Sequence, residues 1–202
     1  KRLAKHRGTQ FCRNTAIKLA KYDYILPLDA DDCLNTNVDF DKFGTYMDNG
    51  VNILSKNQKV AFVHGLSMMF DKFNGSLIIS GAFGLFKKDV VIAAGGYDHS
   101  TMGEDMELVV KLHEYCTLNE IPYCVKYATD AICWSQAPER LKDLCKQRKR
   151  WHLGLFQSMW KHKVMLFNAK FGAVSFVSFF YFLLYELLSP FIEIFGILTM
   201  VL

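Results

Sequence analysis

The chain has 202 residues, of which 51% are hydrophobic and 22% are charged, and its formal net charge is +4. This apolar fraction excludes a disordered chain, and 13 Gly with 4 Pro are too few for a collagen-like or linker sequence. The net charge is too small to indicate nucleic-acid binding. The six Cys form no CxxC pair, so we expect reduced thiols in a cytosol-facing domain rather than a zinc site or a disulfide framework.

Helices and strands are predicted to alternate along the first two thirds of the chain, which is typical of an α/β domain. The apolar run Tyr24–Leu28 predicts a buried strand with acidic residues at its carboxyl end, the edge where open α/β sheets bind ligands. The other elements expected here are helices at Thr15–Lys21, Val38–Tyr46 and Glu104–Tyr115, strands at Val60–Met69, Leu77–Phe86, Cys124–Tyr127 and Ala131–Trp134, and a turn at Gly95–Asp98.

A long helix is predicted to begin at Pro138, because the first turn of a helix does not use the N–H group that proline lacks. Its apolar residues recur at helical spacing and include Leu141, Leu144, Cys145, Trp151 and Leu155. The helix leads into the apolar C-terminal part of the chain.

That C-terminal part predicts membrane segments, since from residue 171 onward only two residues, both Glu, are charged. Residues 171–188 would form about 27 Å of helix, which just spans a hydrocarbon core, and a proline separates them from a second segment at 190–202. Basic residues precede the first segment, so the positive-inside rule assigns the preceding domain to the cytoplasm. We expect a cytosolic domain at 1–165 and transmembrane segments within 166–202. The alternative is a buried hairpin in a soluble core.

Three groups of polar residues need a chemical explanation, and the first is Asp29, Asp31 and Asp32 after the first predicted strand. Their carboxylates repel one another. A divalent cation such as Mg²⁺ or Mn²⁺ would relieve this repulsion and bridge to a substrate diphosphate. A solvated acidic turn is the alternative that this pattern leaves open.

The second group is Glu104 and Asp105, which open a predicted helix. Acids in a first turn are favoured by the helix dipole, and this alone could explain them. The functional explanation is a carboxylate placed to accept a proton from an attacking hydroxyl.

The third group is Gln147, Arg150 and Trp151, which share one face of the long helix. A planar guanidinium matches a diphosphate, and an indole can stack on the apolar face of a sugar ring. A basic stripe facing a membrane is the alternative, whereas a nucleic-acid surface is not expected. Together the three groups indicate transfer from a sugar diphosphate beside a membrane.

Five motifs occur in a distinctive order, namely LDADD (Leu28–Asp32), SGAFGLF (Ser80–Phe86), GGYD (Gly95–Asp98), GED (Gly103–Asp105) and QRKRW (Gln147–Trp151). Followed by apolar segments, this order resembles family 2 glycosyltransferases. The similar branch is the membrane-integrated one, with cellulose, chitin, hyaluronan and bacterial poly-N-acetylglucosamine synthases. The DxD element is unspecific, whereas QxxRW downstream of GED is highly specific.

The resemblance implies a GT-A (Rossmann-like) fold and an inverting transfer from a nucleotide sugar, such as a UDP-sugar, to a saccharide or lipid-linked acceptor. The β-linkage would form at the cytoplasmic face of a membrane, most simply a bacterial plasma membrane. The implied roles are general base for Asp105 with Glu104 beside it, ligands of Mg²⁺ or Mn²⁺ near the nucleotide for Asp29 and Asp31, diphosphate binding for Gln147 and Arg150, and acceptor binding for Trp151, Ser80, Gly81 and Ala82.

The chain also departs from this family's pattern. The family's first strand and its uracil-reading acid have no counterpart, so we expect a domain truncated at its N-terminus. The connection from Asp32 to Ser80 is shorter than in the polymer synthases, which leaves open whether one sugar is added or many. Two other functions remain as alternatives: a DxD phosphohydrolase, although Cys33 stands where such enzymes use Thr, and a non-catalytic membrane interaction module.

Overall fold

A computed structural model of the chain describes residues 8–27, 33–34, 51–57, 69–79, 84–134 and 140–201, with the backbone alone at 33–34, 51–57 and 128–134. The predicted helix Val38–Tyr46 and nearly all of the predicted strand Val60–Met69 lie outside the described residues. The same is true of Pro138 and of the acidic residues Asp29, Asp31 and Asp32.

The described elements alternate between helices and strands, as the sequence predicts. The strands are β1 (Tyr24–Ile25), β2 (Cys33–Leu34), β3 (Val51–Asn57), β4 (Leu85–Lys87) and β5 (Cys124–Trp134). The helices are α1 (Thr9–Leu19), α2 (Lys88–Ala93), α3 (Glu104–Leu118), α4 (Leu141–Lys161) and α5 (Ser189–Val201). Short 3₁₀ and π turns connect α4 to α5.

The described strands form a mixed sheet in the order β1-β4-β3-β5-β2. Its centre is the parallel pair of β3 and β5, in which Ile53 lies beside Val125. The neighbouring strand β4 is antiparallel to both β3 and β1. The far end of β5 pairs with β2, where Cys33 lies opposite Trp134. One continuous strand, β5, therefore replaces the two strands predicted at Cys124–Tyr127 and Ala131–Trp134.

Helix α3 lies at the centre of the packing, between two apolar clusters. The first cluster joins α3 to the sheet and to α1 and consists of Ile17, Ile79, Phe86, Val91, Tyr97, Leu108, Val109, Leu112 and Val125. The second joins α3 to α4 and the C-terminal segment and consists of Phe70, Leu77, Met106, Val110, Leu155, Met159, Met165, Phe171, Val174, Phe179, Phe182 and Leu187. Because apolar side chains pack on both sides of α3, the N-terminus of this helix is fixed relative to the sheet and to α4.

Several predicted elements have different bounds in the structure. The strand expected at Tyr24–Leu28 covers only Tyr24–Ile25, and these residues are half-buried rather than buried because β1 lies at the edge of the described sheet. The helix expected at Thr15–Lys21 instead covers Thr9–Leu19. It begins directly after Gly8, which has a φ of +85°. Its first half is polar and so lacks the apolar spacing that predicts a helix. The strand expected at Leu77–Phe86 is wrong over residues 77–79, which are irregular, and its last two residues belong to β4, while residues 80–83 lie outside the described residues. Directly before this irregular stretch, the Ser76 carbonyl accepts a hydrogen bond from His113 Nε2 (3.0 Å).

Residues 172–187 form one continuous helical run, close to the helix that the sequence predicts for residues 171–188, but most of it is π-helical. Two π-helical stretches, Val174–Phe179 and Phe182–Leu187, follow a 3₁₀ turn, and their inner side chains pack in the second apolar cluster. Within the described part of the chain, no single helix has both the length and the apolar composition of a membrane span. The pair Val174–Leu187 and Ser189–Met200, joined at a bend of 51°, meets both criteria together.

Candidate active site

The N-terminus of α3 touches α4 backbone to backbone, at Gly103 and Gly154. A Cβ atom added to Gly154 would lie 2.7 Å from the Gly103 nitrogen and 2.8 Å from its Cα atom. A hydrogen bond supports the crossing, since the Met102 N–H donates to Gln157 Oε1 at 2.8 Å. Both glycines are thus needed for the two helices to approach this closely.

This crossing brings the GED motif next to the QxxRW face. Gly154 follows Trp151 by three residues and Gln147 by seven, so these side chains lie on the side of α4 that meets α3. Gln147 is half-buried, Arg150 is exposed and Trp151 is 41% exposed. No carboxylate among the described residues pairs with Arg150, which leaves its guanidinium available for an anionic ligand.

The two GED carboxylates occupy the first turn of α3. The Glu104 Oε1 atom lies 3.2 Å from Arg13 Nη1, and both side chains are mostly buried. The Arg13 guanidinium also lies over the Tyr97 ring, 5.3 Å from its centroid. Asp105 is half-buried in the same turn and makes no hydrogen bond to a described residue. A free carboxylate therefore lies beside one whose charge Arg13 balances.

Arg13 is a site residue that the sequence analysis missed. It reaches Glu104 because α1 is fixed to the GGYD turn through Asn14, which exchanges two hydrogen bonds of 2.8 Å with the Tyr97 backbone. Gly96 has a φ of +70°, and a Cβ atom there would lie 2.5 Å from Asn14 Oδ1. The basic excess in residues 1–21 was the available signal, but nothing in the sequence singles out one of its cations.

Behind the crossing, a buried ion cluster joins α3 to the C-terminal end of α4. Its members are Asp98, Glu107, Lys111, Glu114, Lys161 and His162. Glu107 has no solvent exposure, and its Oε1 atom lies 2.8 Å from Lys161 Nζ and 3.2 Å from His162 Nε2. Its Oε2 atom lies 3.0 Å from Lys111 Nζ. Lys161 also pairs with Asp98, and His162 Nδ1 with Glu114.

The partners in this cluster determine the charge state of its acids. Burial alone would raise the pKa of Glu107, but hydrogen bonds from His162 and Lys161 outweigh burial and lower that pKa below its ordinary value. For Asp98 as well, burial acts to raise the pKa and the hydrogen bond from Lys161 outweighs it, so the pKa is lowered. Both acids are therefore charged at neutral pH.

Five of the predicted site residues lie outside the described residues: Asp29, Asp31, Ser80, Gly81 and Ala82. Within the described ranges, no group of three or more His, Cys, Asp or Glu side chains could hold a metal ion. The structure thus places Glu104 and Asp105 next to the contact between Gly103 and Gly154, with Arg150 and Trp151 about one helical turn from Gly154 and Gln147 about two. The metal and loop residues stay predictions.

Comparisons with known proteins show the family to which the chain belongs. The family model described as Glycosyl transferase family group 2 matches residues 24–202. The chain belongs to this glycosyltransferase family. The resemblance stated from the five motifs is thereby confirmed, and the comparisons support neither the phosphohydrolase nor the non-catalytic module.

Relatives of this glycosyltransferase include two poly-beta-1,6-N-acetyl-D-glucosamine synthases. The one from Staphylococcus aureus (strain COL) is 32% identical over 169 residues, which is 75% of this chain and 40% of the relative. The one from Staphylococcus epidermidis is 31% identical over 166 residues, 74% of this chain and 39% of the relative. The chain thus spans about 40% of the length of these curated relatives.

A solved structure supports the fold of the glycosyltransferase. A mannosyltransferase from Pyrobaculum calidifontis, in complex with GDP-Man and Mn²⁺, matches with a TM-score of 0.63 at 21% identity. The match covers 78% of this chain and 44% of that chain. The predicted GT-A fold is confirmed by this likeness together with the family match.

Proposed function

We propose that this family group 2 glycosyltransferase transfers a sugar from a nucleotide-diphosphate donor to a saccharide or lipid-linked acceptor, with inversion to a β-linkage. The observation that supports this most strongly is the backbone contact between Gly103 and Gly154. Through it, two motifs separated by more than forty residues in sequence, GED and QxxRW, come to lie side by side. Their side chains match the two tasks of the reaction, proton removal from the acceptor and binding of the leaving diphosphate.

In this proposal Asp105 is the general base, because it is the GED carboxylate without a cationic partner among the described residues. It accepts the proton of the acceptor hydroxyl as the oxygen attacks the anomeric carbon. The bond from that carbon to the diphosphate oxygen breaks, and the nucleoside diphosphate leaves. Arg150 stabilises the negative charge that grows on the diphosphate. Glu104 is held beside the base by Arg13.

The acceptor side of the proposed site consists of Trp151 and a loop at Ser80, Gly81 and Ala82. Trp151 is 41% exposed, and the Arg148 guanidinium lies over its ring, 5.0 Å from the centroid, so a sugar would stack on the opposite face. Small residues in the loop would let a sugar approach the backbone. Gln147 would orient the diphosphate from one helical turn before Arg150.

For the donor side we propose a UDP-sugar and a divalent cation held by Asp29 and Asp31. Hard carboxylate oxygens are the ligands that Mg²⁺ and Mn²⁺ prefer. When bound, such an ion would neutralise charge on the leaving diphosphate. The Pyrobaculum mannosyltransferase was solved with GDP-Man and Mn²⁺. That complex supports a nucleotide-sugar donor and a divalent cation here, but it does not indicate which nucleobase the donor carries.

We also propose that the protein is an integral membrane protein with the domain at 1–165 on the cytoplasmic side and membrane segments within 166–202, about 171–188 and 190–202. Support comes from an exposed apolar surface, since every described residue of α5 after Ser189 is exposed, including Phe195 at 72% and Met200 at 89%. The outer side of the π-helical segment adds Phe176 and Phe180. Large exposed apolar surfaces mark sites of membrane or protein interaction, and a membrane is the partner that we propose here.

The proposed function is tested by incubating membranes that contain the full protein with a panel of radiolabelled nucleotide sugars and sizing the labelled product. We expect label from one donor to enter a β-linked saccharide, and chelation of divalent cations to stop its incorporation. Product length will show whether one sugar is added or many. Release of free sugar or phosphate without a glycosidic product would contradict the proposal.

A further inference from the structure

The buried carboxylate of Glu107 joins α3 to α4 just behind the proposed catalytic site. We infer that Glu107 is a positioning residue for the transfer: its ion pair with Lys161 fixes the register of α3 against α4, and so fixes the GED carboxylates relative to the QxxRW face. This inference rests on the proposed function and assigns a role to a residue that contacts neither donor nor acceptor.

The partners of Glu107 come from both helices. Lys161 and His162, at the end of α4, both approach its Oε1 atom, at 2.8 Å and 3.2 Å. Lys111, one turn later on α3 itself, approaches Oε2 at 3.0 Å. Because the carboxylate is fully buried, a lost partner leaves part of its charge uncompensated, although the Lys161 side chain itself is 39% exposed.

The ion pair adds a polar contact to the glycine crossing at Gly103 and Gly154 and to the apolar packing of α3 against α4. From the crossing, Glu107 lies about 6 Å along α3, and Lys161 about 10 Å along α4. Apolar side chains tolerate small sliding movements, whereas an ion pair requires its atoms to stay within a few tenths of an ångström of their separation. Glu104 and Asp105 lie between the crossing and the ion pair on α3.

The ion cluster also joins these helices to the GGYD turn. Lys161 pairs with Asp98 of that turn as well as with Glu107. Lys111 donates to the Gly96 carbonyl oxygen at 2.6 Å. The same turn holds α1 through Asn14, and α1 positions Arg13 beside Glu104. Loss of the cross-helix pair is therefore expected to disturb the position of the base more than the folding of the domain.

The test compares two lysines that pair with the same carboxylate, in the full protein in membranes. Lys161→Met removes the nearer of the two cross-helix partners and leaves His162, and Lys111→Met removes the partner on the same helix. We expect Glu107→Gln and Lys161→Met each to lower kcat about 10- to 100-fold with donor KM unchanged, since a misplacement of about 1 Å can cost about 100-fold. Lys111→Met should lower kcat less than Lys161→Met does, because it removes no contact between the two helices, and Lys161→Arg should retain most of the activity.

A double variant completes the test. Glu107→Gln with Lys161→Met should be no slower than the slower single variant, because both remove the same contact. Equal kcat losses for Lys111→Met and Lys161→Met, or additive losses in the double variant, would overturn the inference. If Glu107→Gln does not fold, the two lysine variants decide by themselves. Absence of transfer by the wild type would overturn the proposed function and this inference with it, whereas wild-type transfer with an unchanged kcat for Lys161→Met overturns the inference alone.

Discussion

At Gly154 the backbone of α3 occupies the space where any other residue would place its side chain. The atoms that a Cβ would meet are backbone atoms of Gly103, at 2.7 Å and 2.8 Å, and they cannot move aside as a flexible side chain could. This single position therefore sets the distance between the GED motif and the QxxRW face.

Replacing Gly154 by Ala should push the two helices apart. We expect a loss of about 1–3 kcal/mol in the free energy of unfolding, the usual cost of overpacking, and a fall in kcat of about 10-fold or more. Thermal unfolding and transfer assays measure the two effects. The control is Gly196→Ala, at a helical glycine of α5 with no atom within 4 Å of the added Cβ, which should leave kcat unchanged. Equal activity in the two variants would contradict the importance of the crossing.

His113 makes the stability of the domain depend on pH. Burial lowers the pKa of its imidazole from 6.5 to about 4. The neutral ring donates from Nε2 to the Ser76 carbonyl, and Nδ1 accepts from the Tyr123 hydroxyl at 2.8 Å. In the unfolded chain the ring takes up a proton below pH 6.5, and the folded chain does so only near pH 4. Stability is therefore lost as the pH falls through this interval.

The expected loss from His113 is about 3 kcal/mol between pH 6.5 and pH 4. Unfolding temperatures of the detergent-solubilised protein measure it across this range. In His113→Gln the decline over the same interval should be shallower, because the group that takes up the proton on unfolding is gone. An identical decline in variant and wild type would show that other groups cause it.

At the scale of the element, α4 presents two tryptophans on opposite sides. Trp151 and Trp160 are nine residues apart, which at 100° per residue is half a revolution. Trp160 is 64% exposed, stacks on Phe156 and has Lys163 Nζ 4.9 Å from its ring centroid. Only Trp151 lies on the side that meets the N-terminus of α3.

This geometry makes Trp160 a matched control for the acceptor site. Trp151→Ala should raise the acceptor KM about 10-fold and leave the donor KM within about twofold, because loss of a stacking ring costs about 1–2 kcal/mol. Trp160→Ala should leave both constants unchanged. Kinetics with donor and acceptor varied separately provide the measurement. A larger effect of Trp151→Ala on the donor KM than on the acceptor KM would assign this ring to the donor side.

The elements that could be predicted from the sequence are those with a strong local pattern. Helix α3 has acids in its first turn and regular apolar spacing, and its predicted start at Glu104 is confirmed. The strand β3 and the short helix α2 were missed, because seven and six residues are too few to show a clear period. Helix α1 was predicted too short for the same reason, since its first half has no apolar repeat.

The candidate site was predictable as a set of motifs but not as a geometry. Glu104, Asp105, Gln147, Arg150 and Trp151 were recognisable by residue type and order. The two glycines at the crossing, Arg13 and the ion cluster around Glu107 were not, because each depends on contacts between residues that are far apart in the chain. Such contacts leave no spacing signal in a single sequence.

At the scale of the whole molecule, the apolar C-terminal part divides into two sections. Residues 171–187 contribute buried side chains to the core shared with α3 and α4, whereas α5 contributes none. An apolar sequence pattern alone does not separate these cases, since both sections lack charges apart from one Glu each. Residues 171–187 are therefore part of the packed core, whereas α5 is exposed.

Two truncations should therefore behave differently. Ending the chain after residue 188 removes only exposed side chains, and we expect the domain to keep a cooperative unfolding transition. Ending it after residue 165 exposes Met106, Leu155 and Met159, each of which contributes roughly 1.5–3 kcal/mol when buried, and should abolish folding. Limited proteolysis and thermal unfolding of the detergent-solubilised proteins distinguish the two. Equal protection of both truncations would contradict the shared core.

The most direct test of the central claim is the activity of Asp105→Asn in the full protein, with transfer and nucleotide binding measured on the same membranes. We predict that transfer falls at least about 100-fold while the nucleotide still binds, because the amide keeps the shape of the carboxylate but cannot accept the proton. Asp143→Asn, at an exposed acid near the start of α4, should transfer at the wild-type rate. Transfer by Asp105→Asn at close to the wild-type rate would contradict the assignment of the base and the site built around it.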